Sequence, residues 1–471
     1  MNDSLVGDRA VVLGASIAGL VATRALADLF AEVVVVERDE LGVTGSPRRG
    51  VPQGRHIHGL MARGQEVLEE FFPGLTDDLV EEGVPLIDQA GQVRLYLSGC
   101  RLKPSPSDIR VLSASRPGLE AYVRRRVQAL PDVAWRDGRD IVGLVTTPEG
   151  DRVTGARVIR RADGSSEELL EADLVVDATG RGSRTPIWLE ALGRGSPAEE
   201  TIPIGVGYAS AIFRLAPGAL GRDLAVIQAP TPARPRGGGL TTLEGGRCIV
   251  TLMGVLGDHP PADLPGFMDF ARSLEHPDIF DALQGAEPTD LPVSLRFPAS
   301  VRRRYERMRS LPDGLLVTGD ALCSFNPIYG QGMTVAALEA QAMHRSLIAL
   351  APARPGLRKE VLRTSGVMDE IARVVDVPWD MAAGGDLAYP GVTGSRTVKI
   401  RVGNAYLPRL HAAAQSDARL TVAFLRVAGL LDPPQALFRP DLVMRVLRQS
   451  GAGRRRAATA DTAGSSDESR R

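Results

Sequence analysis

The apolar positions of this chain gather into short runs, each ended by glycine or acid. Ala10-Val-Val-Leu13 stops at Gly14-Ala-Ser16-Ile-Ala-Gly19-Leu and passes into helix-like sequence, so it reads as strand, tight turn and helix. Glu32-Val-Val-Val-Val-Glu37 follows as a second strand, ending in an acid 23 residues after Gly14. Ala172-Asp-Leu-Val-Val-Asp177-Ala-Thr-Gly180-Arg-Gly-Ser183-Arg184 is a buried strand feeding a loop, and Leu315 to Val317 is another, closed by Gly319-Asp320. Residues 76–110 and 186–310 carry strand-like runs broken by Gly and Pro clusters: Gly205 to Phe213, Leu224 to Gln228 and Arg247 to Met253. These predict an inserted antiparallel sheet. After Ala336 the pattern turns helical, over 338–350, 359–375 and 417–431, where Pro433 and Pro434 stop the last helix. From Ser450 on, Arg454-Arg-Arg and small residues dominate without periodicity, which predicts a disordered tail.

Length changes the picture next. At 471 residues the chain exceeds the size at which one core keeps growing, so more than one domain is expected. With 44% hydrophobic residues and a net charge of -1, nothing points to nucleic acid or an anionic surface as partner. Three cysteines, Cys100, Cys248 and Cys323, have neither metal spacing nor an even disulfide set. No targeting peptide and no apolar stretch of the ~20 residues needed for a membrane span is visible. The expected setting is a reducing cytoplasm.

The chemistry lies in the turns. Gly14, Ser16 and Gly19 occupy the glycine positions of a dinucleotide fingerprint with serine in the middle: Gly14 permits the turn, Gly19 lets the helix pack on the sheet, and Glu37 is placed to bind a ribose. Asp320, at a strand end, can accept hydrogen bonds from sugar or ribityl hydroxyls. Gly330-Gln-Gly-Met-Thr-Val starts a helix whose open N–H groups suit an anion or a polarised carbonyl, as a reduced flavin presents.

In this order the three segments resemble those of the flavoprotein monooxygenases of the aromatic-hydroxylase and squalene-epoxidase type, from the N-terminus to about residue 345. Arg48-Arg-Gly-Val-Pro-Gln-Gly-Arg-His-Ile-His-Gly-Leu60, Phe72-Pro-Gly-Leu75 and Phe325-Asn-Pro-Ile-Tyr-Gly-Gln-Gly-Met333 are similar, more narrowly, to the flavin epoxidases of bacterial polyether and polyketide antibiotic biosynthesis. The resemblance implies an α/β fold: a Rossmann-like FAD-binding domain of the aromatic-hydroxylase type, an inserted antiparallel β-sheet substrate domain, and a C-terminal helical region. Because the motifs sit near residues 14, 180 and 320, the FAD-binding domain is expected to be discontinuous, over 1–75, 111–185 and 311–350, with the substrate domain at 76–110 and 186–310, the helical region at 351–449 and the tail at 450–471.

The same resemblance implies noncovalent FAD, O2, and NAD(P)H or a separate flavin reductase as electron donor. Gly14, Ser16, Ala18, Gly19, Glu37, Arg38, Arg55, Arg116, Asp320, Pro327, Gly330, Gln331, Gly332 and Met333 are its implied cofactor-side residues. Arg116 matches the family's arginine at a helix start, and Asp177-Ala-Thr-Gly180 stands where the family has an Asp-Gly pair near the nicotinamide.

His56 and Pro327 are the catalytic candidates. His56 and His58 lack the other clustered ligands a metal site needs, so cofactor contact or proton handling is the expectation. Cys323 is expected to be a small buried thiol rather than a flavin anchor. Arg302-Arg-Arg-Tyr-Glu-Arg307 reads as a solvated face.

The implied reaction is epoxidation of an alkene in a lipophilic polyene or polyketide through a flavin C4a-hydroperoxide, the cofactor carrying the hard step. An alkene is itself the nucleophile, and no Tyr or His outside the flavin motifs has a context that argues for a base to ionise a phenol. Aromatic hydroxylation of a polyketide or phenol, and flavin-dependent reduction of a prenyl alkene, remain the alternatives. The Trp-x-Trp-x-Ile-Pro motif of flavin halogenases is absent, since Trp135, Trp188 and Trp379 stand apart.

Overall fold

The computed structural model describes residues 5–42, 45–161, 166–350 and 362–449. The apolar runs of the sequence form a five-stranded parallel sheet, in the order Leu315–Val317, Leu174–Asp177, Gly7–Leu13, Phe30–Val36, Val133–Arg136. Val, Leu and Ala along these strands are closed from solvent on both faces, as a parallel sheet covered by helices requires. The helix Ile17–Ala27 covers one face together with Ala62–Phe71, Arg116–Gln128 and Gly332–Leu350. All five strands end at one edge, and the turns leaving that edge carry the candidate motifs.

Between the strand Val133–Arg136 and the strand Leu174–Asp177 the chain makes a separate three-stranded antiparallel sheet, Arg139–Thr146, Val153–Arg160 and Glu167–Glu171, which the sequence pattern did not single out.

The expected inserted sheet is present with eight strands. Its strands Val206–Arg214, Ala225–Gln228 and Cys248–Gly254 lie within a residue of the expected runs. It is antiparallel except at one pair, where Val93–Leu97 from the first insertion runs parallel to Ala225–Gln228. That pair joins two segments more than a hundred residues apart, so no hairpin links them.

Period two gives this sheet two distinct faces. Ala209, Ala211, Phe213, Val226, Leu240, Val250 and Leu252 pack under the helices Leu264–Arg272 and Asp278–Leu283. Tyr208, Ser210, Thr251, Met253, Gly239 and Ile227 alternate with them and so belong to the other face, which receives the loop at Ile57.

The C-terminal helices differ from expectation in their bounds. The helix predicted over 359–375 is observed as Ser365–Asp386, continuing through Pro378, while residues 359–361 lie outside the described residues. Val375, Trp379, Ala382 and Ala383 bury into the main core, and that burial outweighs the hydrogen bond and clash that proline costs a helix interior. Val398–Ala414, with Pro408 inside, was not predicted. The helix expected at 417–431 is Ala418–Ala428, capped by the Asp417 carboxylate on Arg419 N–H. The predicted tail lies outside the described residues.

One charged run is not the solvated face the sequence suggested. Arg302 is only 1% exposed and Tyr305 fully buried, because the strand Ser300–Arg304 is enclosed by the helix Ser365–Asp386. Arg302 Nη2 donates to the Ala372 carbonyl at 3.0 Å and pairs with Asp376 at 2.7 Å, and Arg304 forks onto Glu200. We expect Arg302→Ala to destabilise the protein by at least about 2 kcal/mol, since it leaves a cavity and removes the shorter of two ion pairs of Asp376, whose remaining pair with Arg304 and partial exposure limit the loss. Urea unfolding midpoints of the two proteins measure it.

Candidate active site

The site is assembled where three distant turns touch. Gly14 holds φ +101°, and a Cβ there would stand 2.6 Å from the Ala178 carbonyl oxygen. A Cβ at Gly19 would stand 1.8 Å from the Gly14 oxygen, and one at Gly319 would reach the Ala18 Cβ at 2.7 Å. The helix Ile17–Ala27 is therefore seated against both neighbouring turns, with no side chain capping its N-terminus.

Around that N-terminus stands an interlocked set of charges. Glu37 accepts from Ala15 N–H at 2.9 Å and Asp39 N–H at 3.0 Å, fixing the turn that leaves the second strand. Arg48 donates to Glu120 at 2.8 Å, Asp39 at 3.2 Å and the Ala15 carbonyl at 3.1 Å. Arg116 Nη1 donates to Glu120 and Nη2 to Ser16 Oγ, both at 2.8 Å. Arg124 lies 3.6 Å from Glu120. Ser16 thus carries a guanidinium at the fingerprint's middle position. Arg116, Glu120 and Arg124 share one face of the helix Arg116–Gln128 through their i, i+4 spacing, a signal that could have identified Glu120 and Arg124 from sequence. Arg48 lay inside a quoted motif without an assigned role.

Asp320 leaves the parallel strand Leu315–Val317 close to both helix starts: a Cβ on Gly332 would be 4.0 Å from its Oδ1. Asp320 itself is partly exposed. No described residue donates a hydrogen bond to it. Burial raises its pKa, and the charges of Arg181 and Arg116 oppose the rise.

Beneath it, Glu339 from the helix Gly332–Leu350 is fully buried. It accepts from Thr318 Oγ1 at 2.6 Å and Gly319 N–H at 2.5 Å, which sets the bend presenting Asp320. Burial pushes its carboxyl up to about 7.

The turn Pro327–Tyr329 and the loop 55–61 meet at the start of the helix Gly332–Leu350, where a Cβ on Gly59 would stand 4.0 Å from the Gly330 Cα. Asn326 Oδ1 accepts Ile328 N–H, and Gly330 takes φ +67° before the helix begins. A residue that sequence gave no signal for, Asp386, holds this turn from the C-terminal helix. Its Oδ1 accepts from Asn326 Nδ2 at 2.7 Å and Tyr329 Oη at 3.0 Å, and its Oδ2 from Ser300 Oγ at 3.3 Å. Burial without a cation nearby lifts Asp386 to about 6. Met61 N–H donates to Thr334 Oγ1, tying the histidine loop to the same helix start. His56 is buried, with Nδ1 2.7 Å from Ser210 Oγ, while His58 Nδ1 lies 3.0 Å from the His56 carbonyl. Burial lowers both, His56 to about 4 and His58 to about 3.

The predicted residues do not all converge. Gly14, Ser16, Ala18, Gly19, Glu37, Arg116, Asp320, Gly330, Gln331 and Gly332 line up along this edge, and Gln331 Oε1 is buried without a partner. Met333 turns its side chain into the apolar core with Leu60 and Leu119. Pro327 is exposed at the turn, and Arg38 and Arg55 are exposed. Asp177 is fully buried and accepts from Thr179 N–H and from the hydroxyls of Thr179, Ser183 and Thr185, so its carboxylate shapes its own loop. Arg181, beyond it, lies over the Phe297 ring at 4.5 Å. Cys323 is buried in the main core, where burial pushes its thiol up.

The fold is that of the FAD-dependent monooxygenases of aromatic-hydroxylase type. The flavin-dependent brominase Bmp2 has a similar structure over 96% of this chain and all of its own, with a TM-score of 0.63 at 14% identity. p-Nitrophenol 4-monooxygenase PnpA from Pseudomonas putida is similar over 91% and 99%, with a TM-score of 0.62 at 17% identity. No protein-family model matches the chain. The chain belongs to the family of Protein Rv3254 of Mycobacterium tuberculosis, with which it is 37% identical over 438 residues, 90% of each chain. Kynurenine 3-monooxygenase of Salinispora tropica is 27% identical over 353 residues, 70% of each.

Glu339 makes a pH-dependent prediction. Its folded pKa lies above the usual carboxyl value, so the native state holds its proton more tightly; stability from this group is full below about pH 4.5 and is lost as pH rises through about 7. Glu339→Gln keeps an acceptor for Thr318 and Gly319 without a charge. Its stability relative to wild type should rise between pH 5 and pH 8.5, by about 1 kcal/mol or more; melting curves across that range measure it.

Proposed function

We propose that this protein is an FAD-dependent monooxygenase that epoxidises an alkene of a lipophilic polyene or polyketide. The observation that carries the cofactor assignment is Asp320: a partly exposed carboxylate to which no described residue donates a hydrogen bond, at a parallel strand end between two helix N-termini. Such a group is open to incoming donors, and the ribityl hydroxyls of FAD are donors of the right kind. The Gly14 turn supports the assignment, since a side chain there would strike the Ala178 backbone and keep the fingerprint turn from closing.

In this reading Glu37 takes the adenosine ribose, the Arg48, Arg116 and Arg124 set neutralises the pyrophosphate beside the first helix, and residues 327–333 border the ring. When bound, the flavin supplies two-electron reduction of O2, drawing on NAD(P)H or a separate flavin reductase. The overall balance is alkene, O2, NAD(P)H and a proton giving epoxide, water and NAD(P)+. The chain's residues bind, orient and exclude water. Ile57, Ile227, Leu295 and Met253 give the inner face of the large sheet an apolar surface for a hydrocarbon chain.

One observation favours a second reading. His56 sits on this face with Nδ1 held by Ser210, so a histidine is available near a substrate hydroxyl, as aromatic hydroxylation of a phenol would use.

Two measurements decide. Asp320→Ala should lower FAD affinity by one to two decades for each charge-assisted hydrogen bond lost, at about 1.5–3 kcal/mol each; flavin content equal to wild type would remove Asp320 from the cofactor site. With 18-O2, a reductant and a trial polyene, mass spectrometry should find one labelled oxygen per epoxide. Labelling of phenols but never of alkenes would install the hydroxylase instead, and product formed without O2 would install the alkene reductase.

A further inference from the structure

Two neighbouring polar groups on the inner sheet face have no partner. His56 is 6% exposed and Tyr208 5% exposed, and the His56 Nε2 and Tyr208 Oη atoms are buried without a hydrogen bond. Their rings are 5.7 Å apart at 43°. Buried polar groups are rarely left so, because each forfeits its bonds to water.

The imidazole is held in place by a chain of contacts. His56 Nδ1 lies 2.7 Å from Ser210 Oγ, which lies 2.6 Å from Thr251 Oγ1, which accepts Ile57 N–H at 2.9 Å. Ser210 and Thr251 are cross-strand partners, so the sheet register fixes this chain. One ring nitrogen is thereby committed, and the other is left to a group the protein does not supply.

The surroundings restrict that group. Leu295 and Met253 flank Tyr208 in register, and Phe297 packs in the same cluster. The pair itself is uncharged: burial lowers the His56 imidazole to about 4 and raises the Tyr208 hydroxyl. Asp386 accepts from Asn326, Tyr329 and Ser300, Arg181 lies over Phe297, and Arg55, whose charge bears on His56, is exposed. A neutral oxygen therefore suits the pair better than a carboxylate or phosphate would.

We propose that the substrate of this site is mainly hydrocarbon and carries one neutral oxygen function, a hydroxyl or carbonyl, that docks between His56 Nε2 and Tyr208 Oη. The inference rests on the reading of this sheet face as the substrate side. Tyr208 donates, and neutral His56 donates or accepts according to its tautomer, so either oxygen function is satisfied. The residues then select for oxygenation of the substrate, while its length is read by shape.

The test uses the FAD-loaded protein without reductant, with farnesol, farnesene and farnesoic acid as probes, followed by the flavin difference spectrum and by calorimetry. Farnesol should bind at least tenfold more tightly than farnesene. Tyr208→Phe keeps the ring and removes an unpaired hydroxyl, so it should fold as well as wild type. It should bring the farnesol preference down to about threefold or less and leave farnesene affinity unchanged. Equal affinity for farnesol and farnesene, no binding of farnesol, an unchanged preference in Tyr208→Phe, or tightest binding of farnesoic acid would each overturn the proposal. A preference for farnesol together with no labelled oxygen in any product would defeat the monooxygenase reading alone.

Discussion

Backbone contact without room for a single added carbon is the constraint on which this molecule depends. Gly14 against Ala178, Gly19 against Gly14, and Gly319 against Ala18 bring three turns into one place although they lie some 150 residues apart in the chain. A parallel sheet needs long crossovers in any case, and here the crossovers are whole substructures: a small antiparallel sheet in one, the large sheet in another. The first helix is the shared wall. Displacing it by the width of a methyl group would separate the arginine-rich end of the site from Asp320.

The two ends of the site solve charge differently. Around the first helix, Arg48, Arg116 and Arg124 are interlocked with Glu37, Asp39 and Glu120, so the guanidinium groups are oriented before any ligand arrives. A rigid fork loses less freedom on binding a phosphate oxygen than a free side chain would. At the other end, Glu339 and Asp386 are buried carboxylates around which hydroxyls, amides and N–H groups take the place of cations. Burial therefore lifts Glu339 to about 7 and Asp386 to about 6, and it raises Asp320 as well.

Four strands of the parallel sheet and their turns were legible because each is a continuous apolar run closed by a residue with a stated job, Gly14, Glu37, Asp177 or Asp320; the fifth, Val133–Arg136, is a short mixed run that the sequence reading did not name. The antiparallel insertion was legible in three strands, Val206–Arg214, Ala225–Gln228 and Cys248–Gly254, whereas the glycine-rich Arg236–Thr242 between them was not read as a strand. What escaped has a common cause. Arg302 is a charge whose burial is decided by a helix some seventy residues later, and sequence carries no local mark of that. The helices Ser365–Asp386 and Val398–Ala414 continue through Pro378 and Pro408 despite what proline costs a helix interior, the first with a buried apolar face on the main core. Asp386 sits in that helix, so the element that holds the Asn326–Tyr329 turn could not be found without first placing it.

That placement also gives the C-terminal helix a part in the site. Its Gly385 is required there, because a Cβ would stand 2.8 Å from the Tyr329 ring carbon that bears the hydroxyl. Tyr329 can therefore press against the helix and reach Asp386. The inner face of the large sheet carries Tyr208 and the His56 chain. A substrate held there would lie between a surface built from the inserted domain and a turn anchored by the C-terminal helix. Selection for chain length and selection for an oxygen function would then fall to different elements, so one can change without disturbing the strand-end carboxylate on which the cofactor assignment rests.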